Sequence, residues 1–395
     1  MSGVKGKLLI VATVSGTLSG FLLPYADHFR SQGWIVDGAA QGVTMDPECH
    51  GHFDNLWEIE WSRNPWSWGN LKAGAQISDV VRRNCYDIVH VHTPVASFVT
   101  RLAVGVKHDL EKLRPVKTED NKRRPVLVYT AHGFHCHPRA SFTQKVLYCA
   151  LEKLPARYTD ALVVINREDE RLARALRLAG SGHVYYMPGI GINLDAYSRR
   201  NVSFSELRAI RMELGLAPAD HLFVIVAALM PGKRHQDAIR ALSITGRRDF
   251  HLALAGVGPE LERLRTLAAQ LSVAARVHFL GRRSDVPQLL AAATALILPS
   301  DREGLPRSVL EAMAMGTPVV GTRIRGTREL LEEGAGLLVE IGDAAALASA
   351  MQWVVDHPQE SAALAERAHK RVRRYALERI ISLHETLYEQ LLDRP

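Results

Sequence analysis

Length, composition and charge set the first limits on this chain. Its 395 residues suffice for two domains with full cores, and 47% apolar with 23% charged residues is an ordinary globular composition. The absence of any run of 18 apolar residues argues against a transmembrane helix, and four scattered cysteines argue against a disulfide framework. The net charge of +7 favours phosphorylated or anionic partners, since no zinc-finger spacing or aromatic RNA-binding motif supports nucleic acid.

In the first half of the chain, short apolar strands alternate with segments long enough for helices. Strands are predicted over residues 8–14, 35–39, 88–92, 126–130, 162–166 and 183–187. The apolar run over 8–14 is too short for a membrane span and lacks a cleavage site, so a buried strand is favoured over a signal peptide. Residues 107–124 are dense in charge and read as a solvated helix end and loop.

The second half repeats the same alternation. Strands are predicted over residues 222–229, 251–255, 277–280, 295–299, 318–321 and 336–339. Two successive series of this kind are typical of two doubly wound parallel sheets, with a boundary between residues 189 and 205. Ligands of such sheets bind beyond the carboxyl ends of the strands, so the loops that follow strands are the candidate sites.

Residues 301–320 hold the pattern with the most chemical content. A buried strand precedes them, and a helix is predicted to begin at Pro306 and to end at Gly316. Glu303 then lies on the loop before the helix, and Glu311 lies on its second turn. The helix N-terminus between these carboxylates would offer amides and the positive end of its dipole. This series suits a nucleotide sugar, with glutamates for sugar and ribose hydroxyls and the helix end for the diphosphate.

The Glu-x7-Glu pattern resembles the signature of retaining glycosyltransferases with the GT-B fold, in particular family 4 (GT4). Further motifs are similar to a subgroup that acts in bacterial exopolysaccharide, capsule and O-antigen (lipopolysaccharide) assembly. They are Val11-Ala12-Thr13-Val14, Leu23-Pro24-Tyr25, His90-Val91-His92-Thr93-Pro94, Tyr129-Thr130-Ala131-His132-Gly133-Phe134-His135 and Pro188-Gly189-Ile190-Gly191-Ile192. Their order and spacing extend over nearly the whole chain. The resemblance implies an α/β protein of GT-B fold, with two Rossmann-like doubly wound domains facing an interdomain cleft.

The resemblance also implies a role for each part of the chain. Residues 1–190 are expected to form an acceptor-binding domain and residues 191–375 a donor-binding domain, while 376–395 form a helix that crosses back to the first. The expected reaction is retaining, metal-independent transfer of a hexosyl or N-acetylhexosaminyl group from a nucleotide diphosphate sugar, with UDP as the expected nucleotide. The expected acceptor is a saccharide on a lipid of the undecaprenyl diphosphate type, and no other cofactor is expected.

Three residues are the predicted catalytic residues. Lys233 follows a strand and would neutralise the donor diphosphate as a point charge. Glu303 would hold donor-sugar hydroxyls, and the resemblance places His132 beside the anomeric carbon. Relatives carry an arginine or a glutamate five positions before the lysine, whereas this chain has Ala228. Arg234 is the expected substitute for that missing partner.

The other donor contacts are predicted on loops that follow strands. They are Gly16, Gly20, Arg234, Gly258, Arg282, Gly304, Leu305, Pro306, Arg307, Glu311 and Gly326. The glycines would allow the backbone to approach phosphates or a sugar closely. Neither loop 15–20 nor loop 256–259 completes a G-x-G-x-x-G pattern, which argues against NAD, and tight turns without a ligand remain the alternative.

His92 and His135 are the predicted acceptor-binding residues. His90 and His92 alternate along one strand and therefore face the same side, with His92 at the strand end. His135, Cys136 and His137 crowd one loop, but adjacent residues rarely converge on one ion. No Asp-x-Asp pair occurs either, so no metal site is predicted.

Four of the six tryptophans, Trp57, Trp61, Trp66 and Trp68, fall within twelve positions and near basic residues. Such a cluster resembles an interfacial surface, although tryptophans in compact proteins are usually core residues. The expected location is cytoplasmic, with peripheral contact to the anionic inner face of the cell membrane.

Two alternatives stay open on sequence grounds. A sugar nucleotide 2-epimerase would use the same cleft without an acceptor. A non-catalytic scaffold subunit of a polysaccharide assembly complex has Ala228 as its only sequence support. The donor sugar, the acceptor, the linkage and the oligomeric state do not follow from the sequence.

Overall fold

The computed structural model describes residues 4–62, 64, 67–112, 124–134, 149–180 and 183–393. By internal contacts the chain separates into two compact units. Unit 1 comprises Met1–Ile190 and Ile380–Pro395, and unit 2 comprises Gly191–Arg379. The predicted fold class is confirmed, because each unit is built on a parallel sheet with helices along its connections.

Unit 1 contains a seven-stranded sheet of order β3-β2-β1-β4-β5-β6-β7, in which every neighbouring pair is parallel. Its strands are β1 Lys7–Val14, β2 Ile35–Gln41, β3 Leu56–Glu58, β4 Ile88–His92, β5 Val126–Ala131, β6 Ala161–Val164 and β7 Val184–Tyr186. The strand order reverses between β1 and β4. The loops after these two strands therefore flank the position where ligands of such sheets bind.

The connections of unit 1 are mostly helical. Among the described residues its helices include α1 Leu23–Ser31, α2 Gly69–Asn84, α3 Pro94–Lys112 and α4 Arg167–Leu176. Helix α4 begins because the Asn166 side chain accepts a hydrogen bond from the Asp169 amide at 2.8 Å, which caps its first turn. Between β1 and α1, the chain forms a short helical turn over Ser15–Thr17 and a π-helical turn over Leu18–Leu22.

Unit 2 contains a six-stranded parallel sheet of order β10-β9-β8-β11-β12-β13. Its strands are β8 His221–Val226, β9 Phe250–Ala255, β10 Val277–Gly281, β11 Ala295–Leu298, β12 Val319–Thr322 and β13 Leu337–Val339. Its helices are α5 Phe204–Glu213, α6 His235–Ile244, α7 Leu261–Gln270, α8 Val286–Ala292, α9 Arg307–Met315, α10 Arg325–Leu331, α11 Ala344–Asp356 and α12 Pro358–Val372. Here the strand order reverses between β8 and β11, so their loops flank the corresponding position.

Helix α13, Leu377–Leu392, belongs to unit 1 from Ile380 onward. Its buried face packs on α1, where the Tyr388 and Phe29 rings lie 4.9 Å apart between centroids. At the rim of this contact, Glu385 Oε1 lies 2.7 Å from His28 Nε2. This helix therefore supplies part of the core of unit 1, although the whole of unit 2 separates it from the rest of that unit in sequence.

The tryptophan-rich segment, for which the sequence left a core and an interfacial role open, is partly resolved by the structure. It contains β3, a strand that the sequence pattern did not predict, and Trp57 in this strand donates from Nε1 to Asp37 Oδ2 and Tyr86 Oη at 3.1 and 2.9 Å. The Trp61 side chain is only 2% exposed, because it packs in the unit 1 core. Trp57 and Trp61 are thus structural residues.

The other two tryptophans of that segment have different outcomes. Trp66 lies outside the described residues, whereas Trp68 is 85% exposed at the start of α2. Within the described ranges, none of the helices combines the length and the apolar character that crossing a bilayer requires. Peripheral membrane contact stays a prediction, for which Trp68 is the exposed tryptophan among the described residues of this segment.

Candidate active site

The loops after β8 and β11 are joined at the position where the unit 2 sheet reverses its order. The Asp301 amide donates to the Gly232 carbonyl at 3.0 Å, and Lys233 Nζ lies 2.6 Å from Glu303 Oε1. The Glu303 side chain is 11% exposed and that of Lys233 is 30% exposed, so water screens this pair only partly. The two predicted catalytic residues of unit 2 are thus in direct contact.

A third loop, which follows β12, closes on the same position. The Arg325 Nε donates to the Glu303 carbonyl at 3.3 Å. Gly326 is required here, because a Cβ at this residue would lie 2.1 Å from the Gly304 carbonyl oxygen. Gly326 was predicted as a donor contact, and the structure gives it an additional role in packing the two loops together.

Arg234 was expected to take the place of the polar residue that relatives carry at the position of Ala228. In the structure, Arg234 already forms an ion pair with Asp237. Its backbone is left-handed, with φ of 53°, and its Nε donates to Asp237 Oδ2 at 2.6 Å. Asp237 lies in the first turn of α6 and is almost fully buried. A phosphate that recruited Arg234 would have to share it with Asp237, and the role of Arg234 in donor binding stays a prediction.

Helix α9 begins one residue later than predicted. Pro306 is its N-cap with an extended ψ of 118°, instead of its first helical residue, and Arg307 begins the helix. Because proline has no side-chain acceptor, the first turn of α9 has no side-chain cap. The helix ends as predicted at Gly316, which adopts the left-handed conformation with φ of 68°.

Glu311 is buried on the second turn of α9, at 6% exposure. Arg307 Nε donates to its Oε1 at 2.9 Å, and Tyr197 also hydrogen-bonds to this carboxyl group. Burial raises the pKa of Glu311, and the charge of Arg307 opposes that effect. Tyr197 has no motif around it, so the sequence offered no indication of this contact.

Three further predicted donor contacts remain without a test in the structure. A Cβ at Gly258 would lie 2.3 Å from the Leu229 carbonyl oxygen, so packing within unit 2 already requires this glycine. Arg282 is exposed directly after Gly281 at the end of β10. Leu305 is partly buried against the core beneath α9.

Loop 15–20 of unit 1 contains glycines of a different kind. A Cβ at Gly16 or at Gly20 would meet nothing within 4 Å, and neither residue has a positive φ. Both residues are exposed after β1. Neither packing nor backbone conformation requires glycine at these two positions. The prediction that a ligand approaches the backbone here would explain why glycine is present.

His132 follows β5 at the carboxyl edge of the unit 1 sheet and is half-buried. Its Nε2 lies 3.1 Å from Nδ1 of His92, and the two rings are stacked with centroids 5.3 Å apart. Burial lowers the pKa of His132 to about 4, and the nearby His384 adds to this effect. His132 is therefore neutral near pH 7.

His92, predicted to bind the acceptor, lies beneath His132 at 3% exposure. The following residue, Thr93, has φ of 68°, which is strained for a β-branched side chain. Its Oγ1 accepts from the Thr13 amide at 3.0 Å and so fixes the turn after β4 against the neighbouring strand β1. Strain of this kind is concentrated at functional sites in proteins, where the surrounding structure holds it in place.

The second predicted acceptor residue, His135, lies outside the described residues, as do Cys136 and His137. In the part of the chain that the structure describes, no group of three or more His, Cys, Asp or Glu side chains is arranged to hold a metal ion. Lys233 and Glu303 are thus brought together within unit 2, and His132 and His92 within unit 1.

Comparison with known proteins gives a consistent family assignment. Residues 25–188 match the family model described as glycosyl transferase 4-like domain, and residues 208–371 match glycosyl transferases group 1. EpsD of Bacillus subtilis (strain 168), named as a glycosyltransferase, is similar at 33% identity over 390 residues, which cover 98% of this chain and 97% of EpsD.

Two more distant proteins agree with this result. An Escherichia coli protein named UDP-Gal:alpha-D-GlcNAc-diphosphoundecaprenol alpha-1,3-galactosyltransferase is 25% identical over 293 residues, which are 73% of this chain and 71% of that protein. The crystal structure of Anabaena HepE (Alr3699) in complex with UDP-glucose has a TM-score of 0.79 at 21% identity, covering 97% of this chain and 100% of that one, which supports the fold alone. With both halves matched in order and one relative alike over its full length, this chain belongs to glycosyltransferase family 4, has the GT-B fold and is of the bacterial polysaccharide type.

Proposed function

We propose that this enzyme transfers a sugar, with retention of anomeric configuration, from a UDP-sugar to a lipid-linked saccharide. The observation that carries the proposal is the Lys233–Glu303 pair at 2.6 Å, at the reversal point of the unit 2 sheet and next in sequence to α9. A cation for the diphosphate and a carboxylate for sugar hydroxyls are there fixed side by side. The E. coli relative named above uses UDP-Gal, which supports UDP as the nucleotide.

The donor would occupy unit 2 from the sugar to the ribose. Its diphosphate would lie between Lys233 Nζ and the amides at the start of α9, where the helix dipole also favours negative charge. Glu303 would accept hydrogen bonds from sugar hydroxyls, and Glu311 would accept them from the ribose. This series neutralises the diphosphate without a metal ion, and we infer metal-independent transfer.

The reaction would break the bond between the anomeric carbon and the diphosphate oxygen while the acceptor hydroxyl attacks from the same face. The acceptor proton would pass to the leaving phosphate oxygen, so no protein base is required. Lys233 and the α9 amides stabilise the charge that grows on the leaving group, which is the dominant contribution in reactions of this kind. His132 would lie beside the anomeric carbon as a neutral polar group, which does not repel the positive charge that develops there.

The lipid-linked part of the proposal is supported by a cavity of about 700 Å³ between α2 and α3 of unit 1. Its lining is mostly apolar and includes Leu71, Val99 and Leu102, with Trp68 and Lys107 also contributing. The printed name of the E. coli relative contains a sugar linked to diphosphoundecaprenol. An isoprenoid chain in this cavity, with the exposed Trp68 at the bilayer surface, would hold the enzyme on the cytoplasmic face of the membrane.

A binding and transfer experiment tests the proposal. Thermal unfolding with a series of nucleotide sugars should show stabilisation by a UDP-sugar, because a ligand at a hundred times its Kd adds about 2.7 kcal/mol to the stability. The stabilising donor is then incubated with a diphospholipid-linked sugar, and NMR of the product reports the anomeric configuration. An inverted product, or no stabilisation by any nucleotide sugar, contradicts the proposal.

The same experiment separates the two alternatives. If the protein converts the donor into a 2-epimerised nucleotide sugar when no acceptor is added, it is an epimerase. Normal polymer synthesis in cells that carry Lys233→Ala or Glu303→Ala would identify a scaffold subunit.

A further inference from the structure

We propose that His92 is a positioning residue, which fixes the orientation and the tautomer of His132 through the contact between His92 Nδ1 and His132 Nε2. The inference rests on the role proposed above for His132. It gives His92 a function beneath the site, in place of direct contact with the acceptor.

The geometry of the two rings supports this role. The nitrogens are 3.1 Å apart, a hydrogen-bond distance, and the ring planes differ by only 26°. One nitrogen of this pair must donate and the other must accept, so the two facing nitrogens share a single proton. The protonation of His132 Nε2 is therefore tied to that of His92 Nδ1.

His92 can impose a tautomer only if its own ring is held in place. The His90 ring lies against it, with centroids 4.2 Å apart. Both nitrogens of His90 are engaged, Nδ1 with Tyr388 Oη at 2.5 Å and Nε2 with Thr130 Oγ1 at 2.7 Å. A ring with two such partners cannot turn over without losing both, so His90 forms a fixed surface for His92.

Helix α13 supplies the outer support of this arrangement. Besides Tyr388, it contributes His384, whose Nδ1–H donates to the Ile380 carbonyl at 2.8 Å and whose ring stacks on His90 with centroids 5.6 Å apart. Tyr25 on α1 packs edge-on against His384 at 5.2 Å. The histidine stack, defined as His90, His92, His132 and His384, is thus enclosed by two tyrosines.

Burial and proximity keep the histidine stack uncharged. Desolvation lowers the pKa of all four imidazoles, and their mutual repulsion lowers the pKa of His90, His92 and His132 further. The groups that face His92 are His90, His132 and His384, with Tyr388 and Tyr25 behind them. A neutral His92 has one nitrogen that donates and one that accepts, which a positioning role requires.

Substituting His92 with asparagine or with glutamine distinguishes a positioning contact from simple packing. The side chain of His92→Asn ends where Nδ1 lies, so it can restore the contact to His132. The side chain of His92→Gln ends nearer the position of Nε2 and serves as the matched control, while His92→Leu removes both nitrogens.

Steady-state kinetics with the UDP-sugar donor is the first readout. Loss of a buried hydrogen bond that aligns a reacting group should lower kcat about tenfold or more in His92→Leu and His92→Gln, with the donor KM unchanged. In His92→Asn, kcat should stay within about threefold of the parent enzyme. Equal losses in the Asn and Gln variants, or an unchanged kcat in the Leu variant, would overturn the proposal.

The second readout needs no substrate and separates this inference from the proposed function. In protein with ¹⁵N-labelled histidine, the Nε2 signal of His132 should shift in His92→Leu and return in His92→Asn. An unshifted His132 signal in a folded Leu variant refutes the positioning role, even if transfer is normal. Absence of nucleotide-sugar binding in the parent protein would instead refute the proposed function. If His92→Leu does not fold, the comparison of Asn with Gln decides both readouts.

Discussion

Both units place their candidate residues at the carboxyl edge of the sheet, but the chemistry of those residues differs. In unit 2 the reversal point of the sheet carries ion pairs, Lys233 with Glu303 and Arg307 with Glu311. In unit 1 the carboxyl edge of the sheet carries neutral, buried imidazoles. Taken separately, the two units therefore suit different ligand chemistry: unit 2 offers positive charge to an anionic group, whereas the neutral imidazoles of unit 1 add none.

The largest effect should follow from removing the cation of unit 2. Lys233→Ala deprives the leaving diphosphate of its cation and leaves Glu303 unpaired at 11% exposure. Loss of one such electrostatic contact should lower kcat/KM about 10²- to 10³-fold. Lys370→Ala is the matched control, since Lys370 forms an exposed ion pair with Glu366 in the same unit, and it should change kcat/KM less than about twofold. Similar values for the two variants would break the contrast between the units.

Acidification should destabilise mainly unit 1, because its histidine stack is buried and uncharged. Burial lowers the pKa of His384 to about 4, below the ordinary 6.5, so the unfolded chain binds more protons between these two values. The contribution of His384 to the free energy of unfolding is therefore fully present above about pH 6.5 and is lost as the pH decreases towards about 4. A shift of this size corresponds to about 3 kcal/mol, at about 1.36 kcal/mol per pKa unit.

Urea unfolding at pH 7.5 and pH 5 measures this effect through tryptophan fluorescence, because five of the six tryptophans belong to unit 1. His384→Leu should reduce the difference in midpoint between the two pH values. The exposed His357→Leu in unit 2 should leave it unchanged. A midpoint independent of pH in the parent protein would mean that the histidine stack is not neutral as described.

Alanine substitutions at one glycine of each unit should affect stability and substrate binding differently. Gly326→Ala would force a Cβ against the Gly304 carbonyl oxygen in unit 2 and should destabilise the fold by about 1–3 kcal/mol. Gly16→Ala in unit 1 has free space and should leave stability within about 0.5 kcal/mol. If a ligand approaches Gly16, this variant should nevertheless raise a substrate KM. Unchanged kinetics for Gly16→Ala would remove Gly16 from the predicted donor contacts.

The smallest effect is expected at the Glu311 carboxyl group. Tyr197→Phe removes one hydrogen bond to Glu311, and a loss of about 1 kcal/mol corresponds to roughly a fivefold rise in donor KM. Donor titration by calorimetry checks the change in affinity directly. Tighter binding in this variant would show that Tyr197 competes with the ribose instead of holding Glu311 for it.

The sequence predicted the sheets better than it predicted their sites. Buried parallel strands are continuous apolar runs, so twelve of the thirteen described strands were predictable. The exception is β3, an edge strand whose three residues are partly or fully exposed. The proximity of Lys233 and Glu303 was predictable because each follows such a strand, whereas their catalytic role stays a prediction. The contact of His90 with Tyr388 joins residues 298 positions apart, and no local pattern encodes it.

Local reasoning also left open the role of residues whose surroundings come from distant parts of the chain. For the tryptophan-rich segment the sequence allowed both a core and an interfacial role. Asp37 and Tyr86, contributed by other elements, hold Trp57 in place, and Trp61 packs in the unit 1 core. Pro306 was misplaced by one residue because proline is favoured at the first helical position, whereas its extended ψ makes it the N-cap here.

The return of α13 to unit 1 has a consequence for how the enzyme is made. The two ends of unit 2 are joined by a β-bridge between Ile192 and Ala376, so this closing contact does not depend on the residues of α13. The sheet of unit 1 is translated first but obtains His384 and Tyr388 only after the whole of unit 2. A chain that ended after Arg379 would therefore contain the whole of unit 2 but an incomplete histidine stack.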